Sequence, residues 1–256
     1  MSFNRVAREP LLAVHDLHVD RGSKRVLEKI SFELNEGEFV SVIGPSGCGK
    51  STLLSTLTGD IEPHAGSIRL PGSEAATQAQ AVAWMPQSDS LLPWLNVLDN
   101  AALGLEVEGM PKTRAAARVQ RLLEPFGLND LGDAWPHELS GGMRQRVALL
   151  RTVALERPLL LLDEPFGALD ALTRSQMHDW LTSVQQQFGW TVLLVTHDVR
   201  EAVILSDRVL VMTQQPATVA AEIVVDLQRP RSSGMIADPA CARIEGSVLS
   251  ALSLGA

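Results

Sequence analysis

Short, wholly apolar runs punctuate the second half of the chain. Leu159-Leu160-Leu161-Leu162, Thr191-Val192-Leu193-Leu194-Val195 and Arg208-Val209-Leu210-Val211-Met212 have no polar face, and each is shorter than an ordinary helix. Such runs predict strands buried on both faces of a parallel sheet. Residues 171–188, between the first two, read as the crossover helix that parallel neighbours require. Earlier, residues 12–19 and 30–34 predict strands, the second alternating cleanly, and Asn35-Glu36-Gly37-Glu38 predicts a turn into Val40-Ser41-Val42-Ile43. Residues 66–70 and 81–85 read as further short strands around a loop at 71–79. From 91 to 155 the texture is helical. Residues 113–126 put Val119, Leu122, Leu123 and Phe126 on one face, with Gly127 as the stop. After a break at Arg229-Pro230-Arg231-Ser232-Ser233-Gly234, the spacing of Ile244, Val248, Leu249 and Leu252 predicts a small amphipathic helix. The parallel core is thus divided in sequence by a helical insert.

The run 40–43 leads into Gly44-Pro45-Ser46-Gly47-Cys48-Gly49-Lys50-Ser51-Thr52, and Leu53-Leu54-Ser55-Thr56-Leu57 continues as a helix. This is the pattern G-x-x-x-x-G-K-[ST] in the strand–loop–helix context it needs. Glycines let successive backbone N–H groups turn toward phosphate oxygens, and the helix start adds its dipole. Lys50 brings a full charge and Ser51 a hydroxyl suited to Mg²⁺. The expectation is a nucleoside-triphosphate site.

Composition narrows the setting. The chain has 256 residues, 45% of them hydrophobic and 20% charged, with a net charge of −8. That acidity disfavours nucleic acid as a partner. No run reaches the roughly 20 apolar residues of a membrane span, and residues 1–10 lack the apolar region of a signal peptide. Cys48 and Cys241 are the only cysteines, and Cys48 lies inside the phosphate loop, so reduced thiols in a cytosolic protein are expected.

Other residues fit the same chemistry. Asp163-Glu164 ends the buried run 159–162; beside the phosphate loop, Asp163 could reach Mg²⁺ through water and Glu164 could polarise the attacking water. Taken alone they are equally surface acids at a strand end. His197 follows the run 191–196, at the sheet edge where open α/β folds bind ligands, although a lone histidine there is usually a polar loop residue. Gln87 ends another strand, as a neutral group able to approach Mg²⁺ or the water. Leu139-Ser140-Gly141-Gly142-Met143-Arg144-Gln145-Arg146 makes a second phosphate-facing helix start, or an ordinary loop and cap. One triphosphate does not need two such cradles from one chain, which points to a second copy's nucleotide.

With these motifs assembled, the chain resembles the ATP-binding subunit of an ABC transporter over nearly its whole length. Residues 44–52 match the Walker A motif, Gln87 the Q-loop and Leu139-Ser140-Gly141-Gly142 the signature. Residues 159–163 with Glu164 match the Walker B motif and catalytic glutamate, Ala168-Leu169-Asp170 the D-loop and His197 the switch histidine. The resemblance implies an α/β fold: a P-loop NTPase core with an N-terminal antiparallel β-subdomain and an inserted helical subdomain. One ATPase domain would span 11–230 (core 11–87 and 156–230, helical part 88–155), followed by a short tail at 231–256 with no large regulatory domain. It further implies two cassettes closing head to tail around ATP and Mg²⁺, with Ser140 of one facing the phosphate held by Lys50 of the other. Two membrane permease subunits would grip the surface near Gln87 and residues 88–100, with a periplasmic or lipid-anchored binding protein outside. The cassette would sit peripherally on the cytoplasmic face of the cell membrane.

Asp163-Glu164-Pro165-Phe166-Gly167-Ala168-Leu169-Asp170 is similar to bacterial importers. Residues 91–100, Met143 after Gly142, Val224-Val225-Asp226-Leu227 and Arg229-Pro230-Arg231 are similar to the nitrate/sulfonate/taurine group, whose members import small anions, bicarbonate among them, or thiamine-precursor pyrimidines. One departure stands out. Such cassettes usually stack an aromatic residue on adenine, whereas this chain has no Tyr and carries Arg21 before Gly22; a guanidinium can lie flat on a base. Two competing classes fit less well. Soluble ABC proteins of translation or repair carry paired cassettes or a long coiled coil, and a GTPase needs an Asn-Lys-x-Asp motif that is absent here. The transported solute would touch the permease and binding protein, not this chain.

Overall fold

The structure is a computed structural model that describes residues 9–70 and 78–255. The amino-terminal part forms β1 (Leu12–Arg21), β2 (Lys24–Leu34), β3 (Phe39–Ile43), α1 (Lys50–Leu57) and β4 (Ala65–Arg69). The hairpin β1–β2 is longer than the apolar pattern predicts, because Lys24 to Lys29 pairs with β1 but sends only Val26 and Leu27 into the core, too short an apolar run to declare a strand. β4 pairs antiparallel with β1 on its other side, giving the sheet order β2-β1-β4.

Next come α2 (Gln78–Ala81), β5 (Val82–Met85), α3 (Val97–Val107), α4 (Lys112–Leu123) and α5 (Gly141–Val153). The loop expected at 71–79 lies mostly outside the described residues, and Gln78–Ala81 is one helical turn where a loop and a strand start are expected. α4 ends at Leu123, short of the expected Phe126, and Gly127 closes the turn beyond it in a left-handed conformation (φ +65°).

The chain then gives β6 (Leu159–Asp163), α6 (Ala171–Phe188), β7 (Thr191–Thr196), α7 (Val199–Leu205), β8 (Arg208–Met212), β9 (Val219–Val224) and α8 (Pro239–Leu254). The second sheet runs β5-β6-β7-β3-β8-β9; only β9, an edge strand, is antiparallel to its neighbour. β6 therefore does not lie beside the phosphate-loop strand: β7 separates them. β9, with alternating half-buried and exposed residues, and the seven-residue α7 went unpredicted, since neither has a run long enough to declare itself.

The inner parallel strands β3 and β7 are buried on both faces, as is β6 up to Asp163, whereas the edge strand β5 leaves Trp84 exposed. Leu160, Leu162, Val192 and Leu194 point toward the helical insert and pack with α3, α4 and α5 residues such as Ala101, Val119 and Leu149. Their neighbours Leu159, Leu161, Leu193 and Val195 face the antiparallel sheet and α1. A third cluster seats α8 against α7 and the β8–β9 edge through Cys241 and Val248. Ile244 and Leu252 join it, while Leu249, expected on the same face, is exposed. Among the described residues, no helix is long and apolar enough to cross a membrane.

Candidate active site

The parallel register brings the candidate residues to one sheet edge. Ile43, the last residue of β3, pairs with Thr196 of β7 and Val211 of β8, and Asp163 at the end of β6 pairs with Val195. The phosphate loop, His197 and Asp163-Glu164 all leave the sheet at these carboxyl ends, the usual ligand edge of an open α/β sheet.

The loop is shaped by its neighbours. Gly49, the residue before α1, sits at φ +126°, and a Cβ there would stand 2.9 Å from both Leu27 Cδ2 and Val26 Cγ1; only glycine fits. Lys50 is 7% exposed. Its Nζ donates to Gly44 O (2.8 Å) and Pro45 O (3.0 Å), which holds the ammonium on the loop's own carbonyls. Burial pushes the Cys48 thiol up, against the nearby Lys50 charge, so it is a packing group and no disulfide partner. Ser46 and Ser51 are exposed and Thr52 is buried. Gln215, which carried no sequence signal, donates from Nε2 to Gly47 O at 2.6 Å.

The acids differ in setting. Burial, then the adjacent Glu164 charge, pushes the Asp163 carboxyl up, while Lys50 pulls it down; Lys50 thus reaches Asp163 electrostatically despite the intervening strand. Glu164 has a left-handed backbone (φ +44°), an unusual state for a non-glycine residue and one that clusters at functional sites. Its N–H donates to Val195 O at 2.8 Å, which pins the turn to β7. Its Oε2 accepts from Gln87 Nε2 at 3.2 Å and lies 3.1 Å from His197 Nδ1. Three residues far apart in sequence therefore meet at one carboxylate oxygen.

Ser140, Gly141 and Gly142 start α5, a separate element. Ser140 Oγ accepts from Met143 N at 3.3 Å as the helix cap. A Cβ on Gly142 would stand 3.0 Å from Thr173 Cγ2, so the glycine lets α5 approach α6. Asp170 caps α6, accepting from Leu172 N, Thr173 N and Thr173 Oγ1, and these bonds hold its carboxyl below the usual range. Two arginines of α5 fasten the segment after Gln87. Arg144 Nε donates to Asp89 Oδ2 (3.2 Å), and Arg151 donates to the carbonyls of Ser90 (2.8 Å) and Asp89 (2.7 Å). Next to it, buried Asn100 accepts from Leu92 N and donates to Leu92 O, Leu95 O and Asn96 O. Beside this ordered loop, Trp84 and Trp94 are 44% and 67% exposed. Arg21 ends β1 in an exposed position before Gly22.

Ser51, Asp163 and Gln87 offer hard oxygen donors, but among the described residues no group of three or more His, Cys, Asp or Glu is arranged to hold a metal.

The ABC transporter family matches residues 27–167. The aliphatic sulfonates import ATP-binding protein SsuB 1 of Xanthomonas axonopodis pv. citri is 46% identical, over 82% of this chain and 84% of that protein. The nitrate transport protein NasD of Klebsiella oxytoca is 43% identical, over 85% and 84%. Among solved structures, CbiO1 from Clostridium perfringens, part of the ABC transporter complex CbiONQ, superposes with a TM-score of 0.75 at 25% identity, over 84% of this chain and 88% of that one. The phosphate-loop edge, the helical insert and this breadth of similarity agree: the chain belongs to the ABC transporter family, as an ATP-binding subunit of the import type.

Proposed function

We propose that the chain binds ATP with Mg²⁺ and, in a head-to-tail pair with a second copy, hydrolyses it to drive uptake of a small oxyanion such as a sulfonate or nitrate. The observation that carries this reading is the convergence of Gln87 and His197 on Glu164 Oε2, at the sheet edge that also bears Lys50. In this reading residues 44–52 cradle the phosphates and Lys50 exchanges its carbonyl partners for phosphate oxygens. Ser51, Asp163 and Gln87 hold Mg²⁺, which neutralises phosphate charge when bound. Glu164 accepts a proton from the attacking water, and His197 stands at its side to contact the terminal phosphate. Electrostatic stabilisation by preorganised groups does most of the work.

Ser140, Gly141, Gly142 and Asp170 serve the partner copy's nucleotide. Among the described residues the Ser140 side chain is bonded only within its own cap, to the Met143 N–H, and the Gly141 and Gly142 N–H groups at the α5 start are open to an acceptor. The single ATPase domain spans 11–230, with the tail 231–256 behind it. The segment 88–100, braced by Arg144, Arg151 and Asn100 and carrying exposed Trp94, docks permease subunits at the cytoplasmic face of the membrane, with a binding protein delivering solute outside. Co-purification with a permease from solubilised membranes, combined with uptake of labelled sulfonate and nitrate in a strain lacking this chain, tests the reading. Unchanged uptake of both anions would remove the substrate assignment, and failure to capture a permease would remove the transport role.

A further inference from the structure

The buried end of β7 holds a carboxyl that the proposed reaction does not use. Glu201, in α7, is 3% exposed. Its Oε2 accepts from Thr196 Oγ1 at 2.9 Å, and its Oε1 has no partner among the described residues. Thr196 Oγ1 in turn accepts from Asp198 N–H at 3.0 Å, and Asp198 Oδ1 accepts from the N–H groups of Arg200 (2.9 Å) and Glu201 (3.1 Å). The residue enclosed by this ring is His197. Its backbone is fixed on both sides, while its side chain, 59% exposed, stands 3.1 Å from Glu164 Oε2.

A buried carboxyl with one hydrogen bond is expensive for a fold. Burial alone would be served by an apolar residue, so the carboxyl points to a use for its hydrogen bond. What it does is orient the Thr196 hydroxyl, whose lone pair then holds the Asp198 amide. From the α6 side, Arg174 donates to Phe166 O (3.3 Å) and Leu169 O (2.8 Å) and lies 3.8 Å from Asp198 Oδ2. The turn bearing His197 is thus bound to the segment following Glu164.

We propose that Glu201, acting through Thr196, is a positioning residue that holds His197 against Glu164 for ATP hydrolysis. This rests on the reading of Glu164 and His197 given above. The charged groups facing Glu201 are Asp198 at the start of its own helix, Arg174 of α6 and Glu164 beyond β6. Burial, the largest influence, pushes the Glu201 carboxyl up to about 8, so near pH 7 it is mostly the neutral acid. A neutral amide of the same shape can replace it.

The test is a set of steady-state ATPase measurements on the full chain. Thr196→Val and Glu201→Ala should lower kcat about tenfold or more while KM for ATP stays within about twofold. Thr196→Ser and Glu201→Gln, which keep the hydrogen bonds, should stay within about threefold of the parent chain. In a His197→Ala background, Thr196→Val should have no further effect on kcat, the non-additivity expected of groups acting as a unit. If Glu201→Ala does not fold, the near-isosteric Thr196→Val and Thr196→Ser pair decides alone. Folded Thr196→Val with unchanged kcat, or full additivity with His197→Ala, overturns the inference. A parent chain without MgATP hydrolysis would overturn the underlying reading instead.

Discussion

Asn100 offers the clearest test of how the fold presents its proposed docking loop. The side chain is fully buried at the first turn of α3 and closes four hydrogen bonds of 2.8–3.0 Å to the backbone of Leu92, Leu95 and Asn96. Truncation to Ala removes all four and leaves the Leu92 N–H and Leu95 O without their partner, while Leu92 O and Asn96 O keep the backbone N–H groups of Leu95 (3.1 Å) and Asn100 (2.9 Å). At about 1 kcal/mol net per bond, with these two carbonyls keeping backbone partners, the loss is about 3 kcal/mol. That is a large fraction of the 5–15 kcal/mol that holds an ordinary domain together. Urea unfolding of the full chain should show it as a lowered midpoint with an unchanged slope. Asn100→Asp should be worse, because it keeps the acceptor for Leu92 N–H but turns a carboxylate oxygen toward backbone carbonyls. Permease capture should weaken in Asn100→Ala while ATP affinity holds, since the phosphate loop lies on another element. A midpoint shift worth less than about 1 kcal/mol would refute the view that this one amide organises the loop.

Other outcomes follow from the same geometry. Lys50→Ala should weaken ATP binding on the order of 100-fold or more by titration calorimetry: one charge–phosphate contact at an effective dielectric near 20 is worth about 4 kcal/mol, out of the roughly 4–8 kcal/mol of a micromolar-to-millimolar site. An affinity within about threefold of the parent would contradict the role given to the ammonium. Glu201 makes stability depend on pH. The fold raises its carboxyl from an ordinary 4.5 to about 8, so the folded chain keeps a proton that the unfolded chain releases. Stability is then fully present below about pH 4.5 and is lost as pH rises to about 8. The gap in melting temperature between Glu201→Gln and the parent should grow in favour of the variant across that window, and parallel pH profiles would contradict it. Arg21→Tyr should change ATP affinity or the ATP/GTP preference; if both are unchanged, Arg21 does not face the base.

Much of this architecture is legible in the sequence for a local reason. The runs 159–162 and 191–195 declare buried strands because each residue is buried regardless of which neighbour covers it, and the glycine loop declares its ligand because spacing and backbone conformation carry the chemistry. What stays hidden depends on partners remote in the chain. The Gln87–Glu164 contact spans 77 residues and the Gln215–Gly47 bond 168; Gln87 is marked only by its place at a strand end and within the motif order, and Gln215 by nothing. Asn100 is one polar residue in a helical pattern until Leu92 folds back onto it. Thr196 and Glu201 look like an ordinary strand end and a surface acid, since nothing in their neighbours reveals that α7 buries the carboxyl. The strand order β5-β6-β7-β3-β8-β9 is hidden for a similar reason: apolar runs identify parallel strands but carry no information about their order.

The central claim is that the phosphate loop of one chain is half a site, completed by a second copy and fired by Glu164. Glu164→Gln keeps the shape of the side chain and its contacts but removes the base. Sedimentation of that variant with and without MgATP, alongside its ATPase rate, tests the claim most directly. The account predicts a stable dimer only with ATP and hydrolysis almost abolished; brisk turnover, or a monomer at saturating ATP, would contradict it.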